Sequence, residues 1–413
     1  MATISLKITG LGILNALGVG RSNYWQQLLN SAAGIAPIEG FDTAVYSGNL
    51  GAEIRNFDAR AFMPPRFYRR LSRQSRLAVA ASIEAIKDSG LEISEDNRQR
   101  IGTVFGTAFG STEQTNAFYV SLLDEGPQAA EPFLFPDTVP NAPASHVAMY
   151  HRLQGPNSTF CQNHLSGECA LAYALSLLEQ ERADAVVVGG VDELSSIMFH
   201  SLDAVRALKP LRREEPLRPD RFLSGKGFIP GEGATCMVLE RADPASKRQK
   251  DSYGTPLSLQ LAGAAAPLGH YEANGKALAE AMRTALEEAD LQAGDIDIIA
   301  LGANGVAEFE NAEAKALAHV FGSKYRQIPR IAPRYFVGEF GSAGLLAAAT
   351  ILLSLREGMI PPSIRGHDLT GIQGDSHRFA PPEKETMVTG MAIGSTFGGG
   401  SACLILAGDL STY

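Results

Sequence analysis

The sequence predicts an α/β protein made of two similar halves with largely buried sheets. Three observations carry this. Strand-like apolar runs alternate with helical patterns along all 413 residues. Two helical segments are apolar on nearly every face, so each must sit between layers of protein. The chain also repeats itself weakly around those two segments.

In chain order, Leu6 to Thr9 reads as a short strand turning at Gly10 and Gly12, and Arg76 to Ser89 as a helix stopped by Asp88-Ser89-Gly90. Ile101 to Phe105 reads as a strand entering the glycine-flanked turn Gly106 to Gly110. The first apolar helix spans Ser166 to Leu178, and the Val run of Ala183 to Gly190 reads as a fully buried strand. The second apolar helix spans Ser342 to Leu355. After the first helix come Val186 to Gly190 and then Ala234 to Glu240; after the second come Val388 to Ala392 and then Ser401 to Leu406. The repeat divides the chain into halves at 1–245 and 255–413, joined near the polar stretch Arg241 to Gly254.

Composition narrows the function classes. Lys and Arg total 36 against 45 Asp and Glu, a net charge of −9 without a basic cluster, which disfavours nucleic acid as a partner. Cys161, Cys169, Cys236 and Cys403 form neither a disulfide framework nor a C-x-x-C pair, which points to a reducing, cytoplasmic setting. Met1 to Lys7 carries no secretory pattern, and the longest uncharged apolar stretch, Phe340 to Leu355, is shorter than the ~20 residues a membrane span needs. His146, His200 and His319 lack metal-ligand spacing and read as structural or surface residues, and no metal is expected.

Several segments resemble the β-ketoacyl-ACP synthases, condensing enzymes of the thiolase fold. Ile8-Thr9-Gly10-Leu11-Gly12 looks like the family's opening strand and turn, and Phe135-Pro136, Pro140-Asn141 and Ser145-His146-Val147 look like its FP…PN…HV segment. Gly155-Pro156 stands before the nucleophile strand. Arg218-Pro219 with Gly231-Glu232-Gly233-Ala234 is similar to RPF…GEGA, and Ser395 to Gly400, containing Phe397, to the gating loop. The resemblance implies five layers, α/β/α/β/α, with the two apolar helices in the centre.

The family's chemistry uses a cysteine thiolate at a buried helix N-terminus and two histidines that stabilise charge on the thioester oxygen. All three positions depart from the pattern. Counting without a gap from Gly155-Pro156 puts His164 at the cysteine's place, and Asn304 stands at the first histidine's. The second falls on Glu339 or Gly338, depending on where a one-residue gap lies, with Arg334 at the family's lysine position. Cys161 and Cys169 flank the nucleophile position without occupying it. Removing a nucleophile from a protease triad costs about a millionfold in rate, on the order of 8 kcal/mol of barrier. Loss of the whole set argues against autonomous condensation, and also against decarboxylation, which needs both imidazoles.

Two readings of His164 follow: a new His164–Glu339 acid/base pair serving an acyl-thioester hydrolase or acyltransferase, or a polar plug in a dead site. The lack of an activated serine or thiol beside it favours the plug. Through the resemblance, a dead chain of this kind is expected to pair with an active ketosynthase as a heterodimer. That is the arrangement of the chain-length factors of type II polyketide and aryl polyene systems, although those factors often carry Gln where this chain has His164. On this reading no cofactor is bound, and substrate arrives on the phosphopantetheine of an acyl carrier protein. Thr112, Thr115, Asn116 and Tyr119 fall at helical i, i+3, i+4 and i+7 spacing and would line the shared tunnel with Phe397 nearby, or form an ordinary dimer-interface face. Arg66, Arg69, Arg70, Arg206, Lys209, Arg212 and Arg213 would meet the acidic carrier, or be simply solvated.

Overall fold

The first strand, β1 (Leu6–Asn15), continues through Gly10 and Gly12 instead of turning there, with a shift of pairing register between Ile8 and Gly10. Helix packing explains this. A Cβ at Gly10 would lie 2.1 Å from the Ala85 carbonyl oxygen and one at Gly12 2.0 Å from that of Ala81. The glycines therefore let β1 and helix α1 (Arg73–Ser89) meet backbone to backbone. Ser72 caps α1 by accepting from the Ser75 N–H, and Gly90 ends it in the left-handed conformation at φ 64°. Gly12→Val is expected to destabilise the chain by about 1–3 kcal/mol through overpacking, read as a lower denaturation midpoint.

The computed structural model describes residues 5–219, 225–242, 251–267, 269–367 and 379–409. Most of the predicted joining stretch, 243–250, lies outside them. After α1 the first half contains β2 (Ile101–Gly106), α2 (Thr112–Glu125), α3 (Ala142–His151), β3 (Asn157–Phe160), α4 (Ser166–Glu179), β4 (Ala185–Asp192), α5 (Ser196–Ala204) and β5 (Gly233–Arg241). The second contains β6 (Gly254–Gly263), α6 (Lys276–Glu288), β7 (Ile298–Ala300), α7 (Ala307–Phe321), β8 (Arg330–Ile331), α8 (Ala343–Glu357), β9 (Thr389–Ser395) and β10 (Gly400–Gly408).

The weak sequence repeat becomes a topological one. The first five strands lie in the order β3-β2-β4-β5-β1 and the second five in the order β8-β7-β9-β10-β6, which is the same arrangement within each half. The senses repeat as well: three parallel strands, then two antiparallel ones. The half-sheets meet where Ile8 of β1 pairs with Gly254 of β6. Helices α1 and α3 cover the outer face of the first half-sheet, and α6 with α7 the outer side of the second. Between the sheets lie α4 and α8, in contact with each other, which completes the expected five layers.

The two central helices are not equally enclosed. Every residue of α8 from Ala343 to Leu355 is buried. In α4, by contrast, Cys169, Ala172, Tyr173 and Ser176 form a half-buried stripe at i, i+3, i+4 and i+7. That stripe lies beside β3, the outermost strand of its half-sheet, where Tyr173 packs on Phe160 at 5.4 Å. The expectation of burial on nearly every face thus holds for α8, and for α4 on all but this side.

Candidate functional site

The two central helices start beside one another, and the degenerate positions stand just ahead of them. Strand β3 passes through the single turn Asn163–Leu165 into α4. The Ser166 hydroxyl accepts from the Gln162 N–H and sits 2.6 Å from the Asn163 carbonyl oxygen and 3.0 Å from that of Thr107. Its hydrogen-bonding capacity is used in shaping the helix mouth. His164 is 3% exposed, with its ring edge-on to Phe228 at 5.3 Å and to Phe397 at 5.4 Å.

On the opposite side Arg334–Val337 forms one helical turn, and Gly338 at φ 71° redirects the chain so that Glu339 points inward. Gly338 is required there, because a Cβ would lie 2.9 Å from the backbone of Pro230 and Gly231. The gap ambiguity resolves on geometry: Glu339, not Gly338, faces His164. Its Oε2 accepts from Asn304 Nδ2 at 2.8 Å and lies 3.5 Å from His164 Nδ1, while Oε1 accepts from Arg334 Nε at 3.0 Å. At 3.5 Å the His164 contact is electrostatic rather than a well-formed hydrogen bond. Burial alone would raise the Glu339 carboxyl, but Arg334, His164 and Asn304 outweigh it and hold it at about 2. Arg334, equally buried, keeps its charge above the ordinary range because Glu339, Glu168 and Glu313 oppose its desolvation.

Glu168, Tyr271 and Phe228 belong to this cluster and are not singled out by the sequence, and Glu313, of the segment Glu313-Ala314-Lys315-Ala316 that resembles the family's E-A-K-A, joins them. Glu168 lies in the first turn of α4, where a Cβ on Gly344 would come within 1.9 Å of its Oε1 and one on Gly394 within 3.0 Å. Burial pushes its carboxyl up to about 7 against the pull of Arg334. Burial likewise pushes Glu313 up to about 8, though its Oε1 accepts from the Gly302 N–H at 2.7 Å. Tyr271 accepts from Asn304 Nδ2 at 3.3 Å and stacks on Phe309, and its ring lies 4.7 Å from that of Phe397. The available signal was an acidic residue inside an otherwise apolar helix, SGECALAYALSLL.

No thiol stands in for the missing nucleophile. Cys161 is exposed, its thiol raised by partial burial and by Asp192; Cys169, one turn into α4, is pushed up to about 11 by burial and by Glu168. Among the described residues, no three His, Cys, Asp or Glu side chains gather as a metal site. The arrangement is an ion-paired carboxylate beside an imidazole, walled by aromatic rings. It can orient a histidine, and among the described residues neither thiol flanking it is activated.

The remaining predicted residues lie apart from this cluster. Thr112 Oγ1 meets Ser195 Oγ at 2.6 Å, and Thr115 Oγ1 donates to the Ser111 carbonyl. Tyr119 is 53% exposed, so within a single chain it lines no enclosed tunnel. Lys209 corrects one expectation: it is buried and donates to the Gly305 carbonyl at 3.3 Å, because its backbone is drawn under the loop at Phe228. Arg66, Arg69, Arg70, Arg206, Arg212 and Arg213 are exposed as expected. His146 is structural, paired with Asp137 at 2.5 Å. No helix among the described residues is long and apolar enough to cross a membrane.

Two half-sheets of identical strand order around paired central helices, with a site at the helices' N-termini, define the thiolase-like condensing-enzyme scaffold. The chain belongs to the β-ketoacyl synthase family: the family's N-terminal domain matches residues 5–245 and its C-terminal domain residues 257–367. It is 29% identical over 406 residues to a 3-oxoacyl-[acyl-carrier-protein] synthase 2 of Coxiella burnetii, with 97% of each chain covered. Among solved structures it resembles the ishigamide ketosynthase/chain length factor, with a TM-score of 0.86 at 24% identity covering 99% and 100% of the two chains. It also resembles a ketosynthase in complex with its chain length factor from Xenorhabdus doucetiae, with a TM-score of 0.79 at 22% identity and 98% of both chains covered. At these identities the structural likenesses establish the fold.

Proposed function

We propose that this chain is the non-catalytic, chain-length-factor-like partner of an active β-ketoacyl-ACP synthase. It would pair with that enzyme as a heterodimer and shape the tunnel in which an acyl or polyene chain grows, during type II polyketide or fatty-acid-like synthesis. The observation that carries this reading is the nucleophile position, where His164 faces the Glu339–Asn304–Arg334 network at 3.5 Å and no thiol stands in its place.

A surface suited to a protein partner supports the pairing. Leu123 is 79% exposed and Phe133 73%, and Tyr119, Phe135 and Met149 are exposed as well, so α2, α3 and the segment between them carry five exposed large apolar side chains. Exposed apolar surface of this kind marks an interaction site. Phe118 packs on Phe135 and Thr115 donates to the Thr138 carbonyl, so α2 and that segment are packed against each other. The α4 stripe beside β3 extends the same argument. Substrate would come on the phosphopantetheine of an acyl carrier protein, met by the exposed arginines at 66, 69, 70, 206, 212 and 213.

Co-expression with candidate ketosynthases of the same organism tests the proposal. The expected result is co-purification, no acyl-thioester turnover by the isolated chain, and condensation that depends on the partner's cysteine. The rival reading, hydrolysis or acyl transfer by His164 and Glu339, predicts turnover by the isolated chain that disappears in His164→Ala. For the tunnel, Thr112→Trp is expected to shorten the product while leaving the heterodimer intact; unchanged product length with intact assembly would refute the role of Thr112.

A further inference from the structure

We propose that Glu168 is a second block in the nucleophile site: it sets a carboxyl at the positive end of α4, so that a thiol restored at position 164 would still not ionise. The inference rests on the non-catalytic reading above and deepens it. In an active site of this design, the N-terminus of the central helix lowers the thiol pKa. Here the first turn of that helix carries its own acid, one turn beyond His164 and facing inward over Gly344 and Gly394.

The surroundings do not cancel this acid. The charged and titratable groups around positions 164 and 168, among the described residues, are His164 itself, Glu339, Arg334, Glu313, Tyr271 and the neighbouring Cys169, with α4, α8 and β9 packed between them. Arg334 is the one permanent cation among these, and Glu339 already takes its Nε at 3.0 Å. Among the described residues, Glu168 Oε2 and Arg334 Nη1 have no hydrogen-bond partner, so Glu168 and Arg334 interact through space and not through a formed ion pair. Replacing His164 by cysteine leaves the sulfur facing the Glu339 carboxylate, which lies 3.5 Å from the imidazole it replaces, with the Glu168 carboxyl one helical turn on. Thiolate and Glu168 carboxylate would then titrate as a coupled pair, and the first to ionise suppresses the second.

The test compares His164→Cys with His164→Cys/Glu168→Gln, using iodoacetamide labelling read peptide by peptide by mass spectrometry from pH 5 to 10. Because accessibility affects both variants alike, the difference in midpoint reports electrostatics alone. The expected midpoint at residue 164 lies above the unperturbed thiol value of about 8.5 in the single variant. In the double variant it falls by at least one unit, which is a tenfold faster labelling rate near neutrality. Equal midpoints, or a single-variant midpoint below 7, would overturn the proposal. His164→Cys/Glu168→Met serves if the glutamine variant fails to fold, with circular dichroism as the check. The measurement needs no partner and no turnover, so its outcome is separate from whether the chain assembles with a ketosynthase.

Discussion

Arg334→Met is expected to destabilise the folded chain by about 3–5 kcal/mol, the cost of breaking a buried ion pair by removing one partner. Glu339 would remain in the interior with only Asn304 and His164 beside it, and Glu168 and Glu313 would lose the cation that tempers their burial. The linked pH dependence has a definite sign. Glu339 is held at about 2 in the folded state against an ordinary value of 4.5, so between these values the unfolded chain binds the proton and the folded chain does not. The Glu339 contribution is therefore present above pH 4.5 and lost as pH falls towards 2, amounting to about 3 kcal/mol. In Arg334→Met that acid-side loss should largely vanish, because the depressed carboxyl is what the arginine maintains. Urea denaturation of both proteins at pH 3 and pH 6 checks this; equal differences at the two values would contradict it.

Glu168→Gln is expected to act in the opposite direction. Glu168 keeps its proton up to about 7 when folded, while the unfolded chain releases it near 4.5. Across that window the folded state binds more protons, so stability falls as pH rises. Glutamine removes the titration, and the variant should gain about 3 kcal/mol relative to the parent between pH 4.5 and pH 8. Parallel stability curves for the two proteins would show that Glu168 ionises as it does in water.

The parts of this molecule legible in the sequence are those that rest on local pattern. The valine run of β4 and the apolar length of α8 can only be interior, and both are. Counting along an ungapped stretch placed His164 at the mouth of α4, and the network with Glu339 and Asn304 followed. What was not legible depends on neighbours distant in sequence. Gly10 and Gly12 look like a turn until α1 is packed against them. Lys209 reads as surface charge because nothing local reveals the loop at Phe228 above it. Glu168 is one polar letter in an apolar helix, and its place becomes intelligible only when Gly344 and Gly394, roughly 200 residues on, are seen to leave room for it. Tyr119 and the open stripe of α4 lie at the surface of this chain, where local pattern says nothing of what meets them.

The central claim, a condensing-enzyme scaffold that works through its neighbour, is tested most directly by intact-mass spectrometry of the co-purified complex after incubation with acyl-carrier-protein thioester. The expected result is an acyl adduct on the partner subunit alone, abolished when the partner's nucleophilic cysteine is replaced and unaffected by His164→Ala in this chain. An acyl adduct on this chain, or thioester turnover when it is incubated without a partner, would contradict it.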